Sequence, residues 1–230
     1  MPADMEQSLV LSLELSQREG SVAARLGNGE VVELPVLQGD RNKDTVMPAV
    51  EEVVVKAGGT STSVRTIIIG VGPGGFTGLR IAVATAKMIS LTTGAVVVPV
   101  ETAMGVVQSD KNAVDTSIVV SCVKSNNCWL SVVEKKPTWN CAGHLVGIDG
   151  VAEYLERDCV LYGDSFLPEQ IREICKQRDL EVRPALSSAT SIMEVGLALH
   201  ATGFAVDPSD LLPLYPREPE AVRKWNDLKR

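Results

Sequence analysis

The part of the sequence best suited to chemistry is a glycine-rich segment at residues 70–80, with the letters GVGPGGFTGLR. Glycines between a buried strand and a helix let the backbone approach a ligand and leave N–H groups free where the helix begins. That arrangement holds phosphate groups or other anions in many proteins. The same glycines also allow a helix to pack closely on a strand with no ligand. The residues alone leave both interpretations open.

Two phosphate-binding motifs can be compared with this segment. The glycines at 70, 72 and 75 match the GxGxxG pattern of dinucleotide-binding proteins, and Glu101 follows the next predicted strand, where a ribose-binding acid could lie. Glu101 is, however, 26 residues beyond Gly75, and Pro73 removes a backbone N–H that the motif needs. The phosphate-loop pattern fails because Phe76 stands where its lysine should be. We therefore disfavour both motifs.

Side chains that could perform catalysis are scarce. His144 and His200 are the only imidazoles, and His200 lies in a predicted apolar helix, where a histidine usually belongs to the core or the surface. Cys141 and His144 have the spacing of half a zinc site, but no second pair follows at ligand spacing. A peptidase needs a metal or a nucleophile with its base, and the sequence offers neither. We therefore predict no catalytic residue and no metal ion.

Composition narrows the class of protein. The 230 residues are 45% hydrophobic, enough for one large domain or two small lobes. No apolar run reaches the length of a membrane span, and the first residues lack the positive charge of a signal peptide. Five scattered cysteines favour reduced thiols in a cytoplasmic protein. The net charge of -7 argues against direct nucleic-acid binding, so an RNA role would need a basic partner.

Hydrophobic patterning predicts an α/β protein in which a mixed sheet carries helices. Strands are predicted over 9–15, 21–26, 30–37, 66–71, 95–100, 117–123, 128–133, 143–147 and 160–163. Helices are predicted over 45–57, 76–92, 151–157, 168–177 and 189–202. The polar segment 109–115 predicts a boundary between an N-terminal lobe, 1–108, and a smaller C-terminal lobe with an extended tail, 109–230.

The two predicted helices of the N-terminal lobe have more apolar surface than one sheet can cover. Across 76–91 only Arg80 and Lys87 are charged, and the helix at 45–57 has Met47 and Val55 off its main apolar face. These helices must therefore pack on each other or on a partner.

Residues 69–81, IGVGPGGFTGLRI, resemble the signature of the TsaB family, also described as glycoprotease-like or M22-peptidase-like. Residues 14–16, 20–23, 47–48 and 100–102 fit the family too, and 213–217 resemble its Pro-x-Tyr-x-Arg ending. The resemblance implies an actin-like ATPase (ribonuclease-H-like) fold in two lobes. It also implies a non-catalytic scaffold subunit that pairs with the catalytic subunit TsaD. With the ATPase TsaE, that pair completes threonylcarbamoyl transfer to the adenosine beside the tRNA anticodon, and tRNA would be contacted only through the complex.

The family pairs with TsaD largely through the two helices of the N-terminal lobe, so the resemblance implies a partner interface there. The predicted contact residues are Val46, Val50, Val54, Arg80, Val83, Ala84, Lys87 and Leu91. A homodimer through the same helices is an alternative. The tail at 217–230 has a local net charge of +2 and could contact RNA or anchor a partner. We favour docking on its own domain through Tyr215 and Trp225.

A nucleotide, ATP or ADP, is a weaker implication of the resemblance. The residues that would contact it are Glu14, Gly72, Gly74, Gly75, Thr77 and Gly78. The chain departs from the family here: Glu14-Leu15 replaces the usual Asp-Thr, Gly75 replaces a serine, and the usual histidine aligns near Asn42. These departures leave the scaffold role intact and weaken the case for a nucleotide. The alternative function is a nucleotide-dependent phosphotransferase or ATPase on the same fold.

Overall fold

A computed structural model describes residues 8–37, 45–124, 126–155, 159–217 and Trp225. Two five-stranded mixed sheets, one in each half of the chain, form the framework of the protein. The predicted loop residue Asn42 and most of the predicted tail lie outside the described residues.

The first sheet has the strand order β3-β2-β1-β4-β5. Its strands are β1 (Leu9–Glu14), β2 (Glu19–Leu26), β3 (Val32–Leu37), β4 (Val64–Gly70) and β5 (Val96–Val100). The pairs β3-β2 and β2-β1 are antiparallel, whereas β1-β4 and β4-β5 are parallel. Strands β1 and β4 are covered on both faces, which explains their long apolar runs.

The second sheet repeats this arrangement. Its strands are β6 (Thr116–Lys124), β7 (Asn127–Glu134), β8 (Asn140–Gly147), β9 (Val160–Gly163) and β10 (Val182–Pro184). The order β8-β7-β6-β9-β10 has two antiparallel pairs followed by two parallel pairs, as in the first sheet. The two halves therefore share one topology although their sequences show no repeat.

Helices form three layers around the sheets. Helices α1 (Val46–Lys56) and α2 (Phe76–Thr93) cover the outer face of the first sheet. Helices α3 (Thr102–Ser109) and α5 (Ala189–Ala201) lie between the sheets, where α5 packs on β1 and β4 and α3 packs on β7. Helix α4 (Glu169–Gln177) and a 3₁₀ segment (Ile148–Tyr154) cover the outer face of the second sheet. A further 3₁₀ turn, Ser61–Ser63, leads into β4.

Most predicted elements are confirmed to within a few residues, and the exceptions have physical causes. Helix α3 and strand β10 were not predicted, because the first six residues of α3 are all buried, so they show no helical period, and β10 is only three residues long. The predicted helix at 151–157 is wrong: the chain forms the 3₁₀ segment Ile148–Tyr154 instead. Ile148 and Val151, three residues apart, both point into the core, which suits three residues per turn. The boundary between 108 and 109 stays a prediction, and α5 packs on the first sheet despite its late position in the sequence.

None of the helices in the described part of the chain is long and apolar enough to cross a membrane.

Candidate functional site: the interlobe cleft and the outer helices

A cleft of about 660 Å³ lies between the two lobes. On the side of the first lobe it is bounded by the turn after β1, the glycine turn after β4 and the first residues of α3. On the opposite side it is bounded by residues 119–122 in the second half of β6, the end of β9 and the end of β10. The walls therefore come from equivalent strand ends of two sheets with the same topology.

The glycine turn is packed tightly against the first lobe. A Cβ added at Gly74 would collide with the backbone oxygen of Ser16, and the N–H of Gly75 donates to that same oxygen over 2.6 Å. Gly72 has a φ of +100°, and a Cβ there would lie 2.8 Å from Leu79 Cδ1. These glycines are required for close packing of the strand, the turn and α2, and the N–H of Gly75 is already used within the protein.

Glu14 is fully buried behind the cleft and does not line it. Its Oε1 accepts the N–H of Ser16 over 2.7 Å, and its Oε2 accepts the hydroxyl of Thr102 over 3.2 Å. Gly70 leaves the space that the carboxyl group occupies, because a Cβ there would collide with it. Burial raises the pKa of Glu14 above its ordinary value. Glu14 therefore joins the end of β1 to the start of α3 and is not positioned as a cleft ligand.

The six predicted nucleotide contacts are only partly brought together. Gly74 and Gly75 line the cleft, whereas Thr77 is exposed in the first turn of α2 and Gly78 is buried within that helix. Among the described residues that line the cleft, Arg18 is the one basic side chain. Phosphate groups are usually held by several cations and free backbone N–H groups. The described lining residues thus fit a nucleoside triphosphate poorly.

Glu101 contacts Cys141, one of the two residues of the predicted half zinc site. The Cys141 thiol donates to Glu101 Oε2 over 3.2 Å, and burial raises the pKa of both groups. His144 stacks against Tyr154, with ring centroids 5.2 Å apart. Within the described ranges, no group of three metal-ligating side chains is placed to hold an ion.

Sequence reasoning missed the side chains that join the lobes. Gln17 donates to the carbonyl of Ala185 over 3.0 Å and accepts the N–H of Ser187 over 3.2 Å. After α3, Asp110 accepts hydrogen bonds from Tyr162 and Arg183 over 2.9 and 2.6 Å. Isolated polar residues in a sequence give no indication of such long-range contacts.

The electrostatics of the Asp110 cluster follow from these contacts. Burial opposes ionisation of Asp110, but hydrogen bonds from the Asn112 N–H, Arg183 and Tyr162 outweigh it and lower the pKa of Asp110. Burial and the adjacent Asp110 carboxylate raise the pKa of Tyr162 to about 12. The cluster is therefore ionised at Asp110 and neutral at Tyr162 at physiological pH.

The predicted interface residues divide into a buried and an accessible group. Val46, Val50, Val54 and Val83 belong to the core beneath α1 and α2, so they offer almost no surface to a partner. Arg80, Ala84 and Leu91 are exposed, and Lys87 is half-buried and donates to the carbonyl of Ser209 over 3.1 Å. Periodicity alone identified an apolar face but not which face the sheet would cover.

An exposed apolar stripe runs along α2. It consists of Ile81, Ala84, Met88 and Leu91, and we call it the α2 stripe. Ile81, Met88 and Leu91 are 42%, 58% and 79% exposed. The spacing of three, four and three residues is the heptad spacing of helices that pack against another helix. Helix α1 adds exposed Met47 and Val55 on the same side of the sheet. Sequence reasoning named Ala84 and Leu91 but missed Ile81 and Met88, which the heptad spacing could have revealed.

The fold defines the class of protein. Two five-stranded mixed sheets of identical strand order, with helices between and outside them, confirm the actin-like, ribonuclease-H-like fold in two lobes. One similar solved structure is described as an uncharacterized protein with similarity to peptidase YeaZ from Pseudomonas aeruginosa. It is 19% identical, with 91% of this chain and 100% of that chain covered, and the TM-score is 0.74. Another, YeaZ from Pseudomonas aeruginosa, is 18% identical over 90% of this chain and 99% of that chain, with a TM-score of 0.72.

Sequence comparison points to the same group of proteins. The family described as TsaD, tRNA N6-adenosine threonylcarbamoyltransferase, matches residues 34–141, a little under half of the chain. Comparison with curated protein sequences finds no significant match. The family match and the two structural likenesses agree with the TsaB-like character expected from the glycine signature.

Proposed function

We propose that this chain is a non-catalytic scaffold subunit in tRNA threonylcarbamoyladenosine modification and that it pairs with the catalytic subunit TsaD. The observation that carries the proposal is the α2 stripe. A heptad-spaced row of apolar side chains on a fully formed helix is an unusual feature to leave in contact with water. Burial against a partner helix would remove this surface from solvent.

The surroundings of the α2 stripe support a helix as its partner. Arg80 and Lys87 flank the apolar row, which gives the polar rim that protein interfaces commonly have. Helix α1 lies on the same side of the sheet and adds Met47 and Val55. Two helices side by side form a surface onto which a second helical pair can pack, as in a four-helix bundle.

A scaffold role agrees with the chemistry of the cleft. Cys122 lines the cleft, but burial raises the pKa of its thiol, so the reactive thiolate is disfavoured. Neither His144 nor His200 is among the described residues that line the cleft. A nucleophile there would thus have no imidazole as its base. The net charge of -7 also supports contact with tRNA only through the assembled complex, with TsaE as its ATPase.

The five cysteines are scattered along the sequence and include no C-x-x-C pair, which supports a reducing compartment, and we propose the cytoplasm.

The decisive experiment mixes the full-length chain with TsaD from the same organism and sizes the product by light scattering. A stable one-to-one complex is the expected result. A homodimer that persists when TsaD is added would contradict the pairing. Two separate monomers at micromolar concentration would contradict it as well.

A second candidate function is a nucleotide-dependent phosphotransferase or ATPase, which the size of the cleft and its glycine wall favour. A ligand that binds the folded state raises the melting temperature by mass action. Thermal unfolding with and without millimolar Mg-ATP therefore separates the two functions. The scaffold function predicts an unchanged melting temperature for the isolated chain, and a rise of several degrees would favour the enzyme.

A further inference from the structure

The segment after α5 is held first by the N-terminal lobe. Val206 pairs with Val97 at the outer edge of β5, where its N–H donates to the Val97 carbonyl over 3.0 Å. Five residues later, Leu211 is only 2% exposed and belongs to the core beneath α1 and α2. This end of the segment is therefore fixed by apolar burial and backbone pairing together.

The middle of the segment lies against the glycine turn and the start of α2. The N–H of Leu214 donates to the carbonyl of Val71 over 2.8 Å. The ring of Tyr215 packs on Phe76 with centroids 5.2 Å apart, and the Arg80 guanidinium lies 4.7 Å from the centre of the Phe76 ring. These contacts confirm that Tyr215 docks on the chain's own first lobe.

The far end of the segment reaches the other lobe. The guanidinium of Arg217 donates to the carbonyls of Cys122 and Asn127 over 2.8 and 2.9 Å. Both acceptors belong to the β6-β7 hairpin, at an irregularity in the strand pairing between Ser121 and Lys124. Cys122 has a φ of +52° and lines the cleft. Residues 211–217, which we call the strap, thus join the glycine-turn wall of the cleft to the opposite wall.

We propose that the strap is an interlobe latch, and that release of Arg217 from the β6-β7 hairpin allows the cleft to open. The two ends of the strap are unequal: burial holds the first-lobe end, whereas two side-chain hydrogen bonds hold the described second-lobe end. A simple terminal anchor would contact one lobe only. Gln17 forms a second latch at another point of the cleft, through Ala185 and Ser187. This proposal does not depend on the partner.

Cys122 provides the measurement because its thiol lies in the cleft wall. The full-length protein is treated with a thiol reagent, and modification of Cys122 is followed over time by peptide mass spectrometry. Arg217→Ala should speed this modification by about fivefold or more. Arg178→Ala is the matched control, because Arg178 also donates to two carbonyls, those of Ala152 and Leu155, but within the second lobe. The control should leave the Cys122 rate unchanged.

Electrostatics cannot mimic the expected result. The positive charge of Arg217 lowers the pKa of Cys122, so its removal leaves less thiolate and slows a reaction that depends on thiolate. A faster reaction in Arg217→Ala therefore reports greater access. Arg217→Lys keeps the charge but loses the two-pronged donor, so it should also react faster than the wild type.

Gln17→Ala separates opening of the cleft from local loosening of the hairpin. Gln17 makes its described interlobe hydrogen bonds to the β10-α5 connection and none to the hairpin. If the lobes move as bodies, Gln17→Ala also accelerates modification of Cys122. An unchanged rate in Arg217→Ala would overturn the proposal. Acceleration in Arg217→Ala alone, with Gln17→Ala at the wild-type rate, would overturn it too, because only the hairpin would then have been released.

Discussion

The two lobes have the same strand order but very different outer helices. Helix α2, on the first lobe, presents the apolar α2 stripe to solvent. Helix α4, on the second lobe, buries Ile171 and Cys175 and exposes only polar side chains along its fully exposed positions. The fold requires only the buried face of each helix to be apolar. Packing within the chain therefore does not account for the exposed apolar face of α2, and this is the reason that the proposed partner is placed on the first lobe.

The largest predicted loss of unfolding free energy concerns the packing of α5, between the two sheets, on strand β4 of the first lobe. In Gly196→Ala the new Cβ on α5 would collide with Ile68 Cγ2 on β4. Overpacking of this kind costs roughly 1–3 kcal/mol of unfolding free energy. The control is Gly150→Ala, on the outer face of the second lobe, where a Cβ meets no atom within 4 Å. Urea unfolding that gives both variants the same stability would contradict the described packing of α5.

The next loss of stability is expected where α3 is joined to the second lobe. Asp110→Asn weakens the contacts with Arg183 and Tyr162 and should cost about 1.5–3 kcal/mol, as for hydrogen bonds to a charged group. Because the folded state lowers the pKa of Asp110, its contribution is present above the ordinary value of 3.8 and is lost as the pH falls through the folded value.

Asp115→Asn is the matched control for Asp110→Asn. Asp115 pairs with Lys136, and both side chains are more than 60% exposed. Such pairs contribute roughly 0.2–1 kcal/mol or nothing measurable. Chemical unfolding at pH 7 should therefore rank Asp110→Asn as the less stable of the two variants. The reverse order would contradict the role given to the Asp110 cluster.

The smallest effect concerns Glu14, the fully buried last residue of β1, whereas the last residue of β6, Lys124, is exposed. Burial raises the folded pKa of Glu14, so its contribution is complete below the unfolded value of about 4.5 and is lost as the pH rises through the folded value. Glu14→Gln keeps a neutral group of similar shape and has no such loss. The stability of Glu14→Gln relative to the wild type should therefore rise between pH 4.5 and 8. A difference independent of pH in urea titrations would show that Glu14 is not held in its neutral form.

The first lobe was predictable because its elements have strong local signals. The hairpin between β2 and β3 is a case in point: Gly27 adopts a φ of +52°, and the N–H of Gly29 donates to the carbonyl of Leu26. Helix α3 gave no such signal. It is buried between two sheets, so its apolar residues occur all round the helix and show no period.

The candidate site was less predictable than the fold. Val83 and Leu91 both belong to apolar positions of α2, yet one lies in the core and the other is exposed. The packing of α2 on β4 and β5 determines that Val83 is buried and Leu91 is exposed. The interlobe contacts of Gln17 and Arg217 join residues about 170 and 95 positions apart in the chain, so local patterns carry no trace of them.

Substitution of one exposed apolar residue on each lobe tests whether the α2 stripe is the surface that binds TsaD. Leu91→Glu places a charge on the α2 stripe, whereas Leu145→Glu places the same charge on β8, where Leu145 is also exposed. Titration calorimetry would measure the affinity of each variant for TsaD. We predict that Leu91→Glu loses at least tenfold in affinity, about 1.4 kcal/mol, and that Leu145→Glu binds like the wild type. Equal affinities for both variants and the wild type would show that the α2 stripe is not the docking surface.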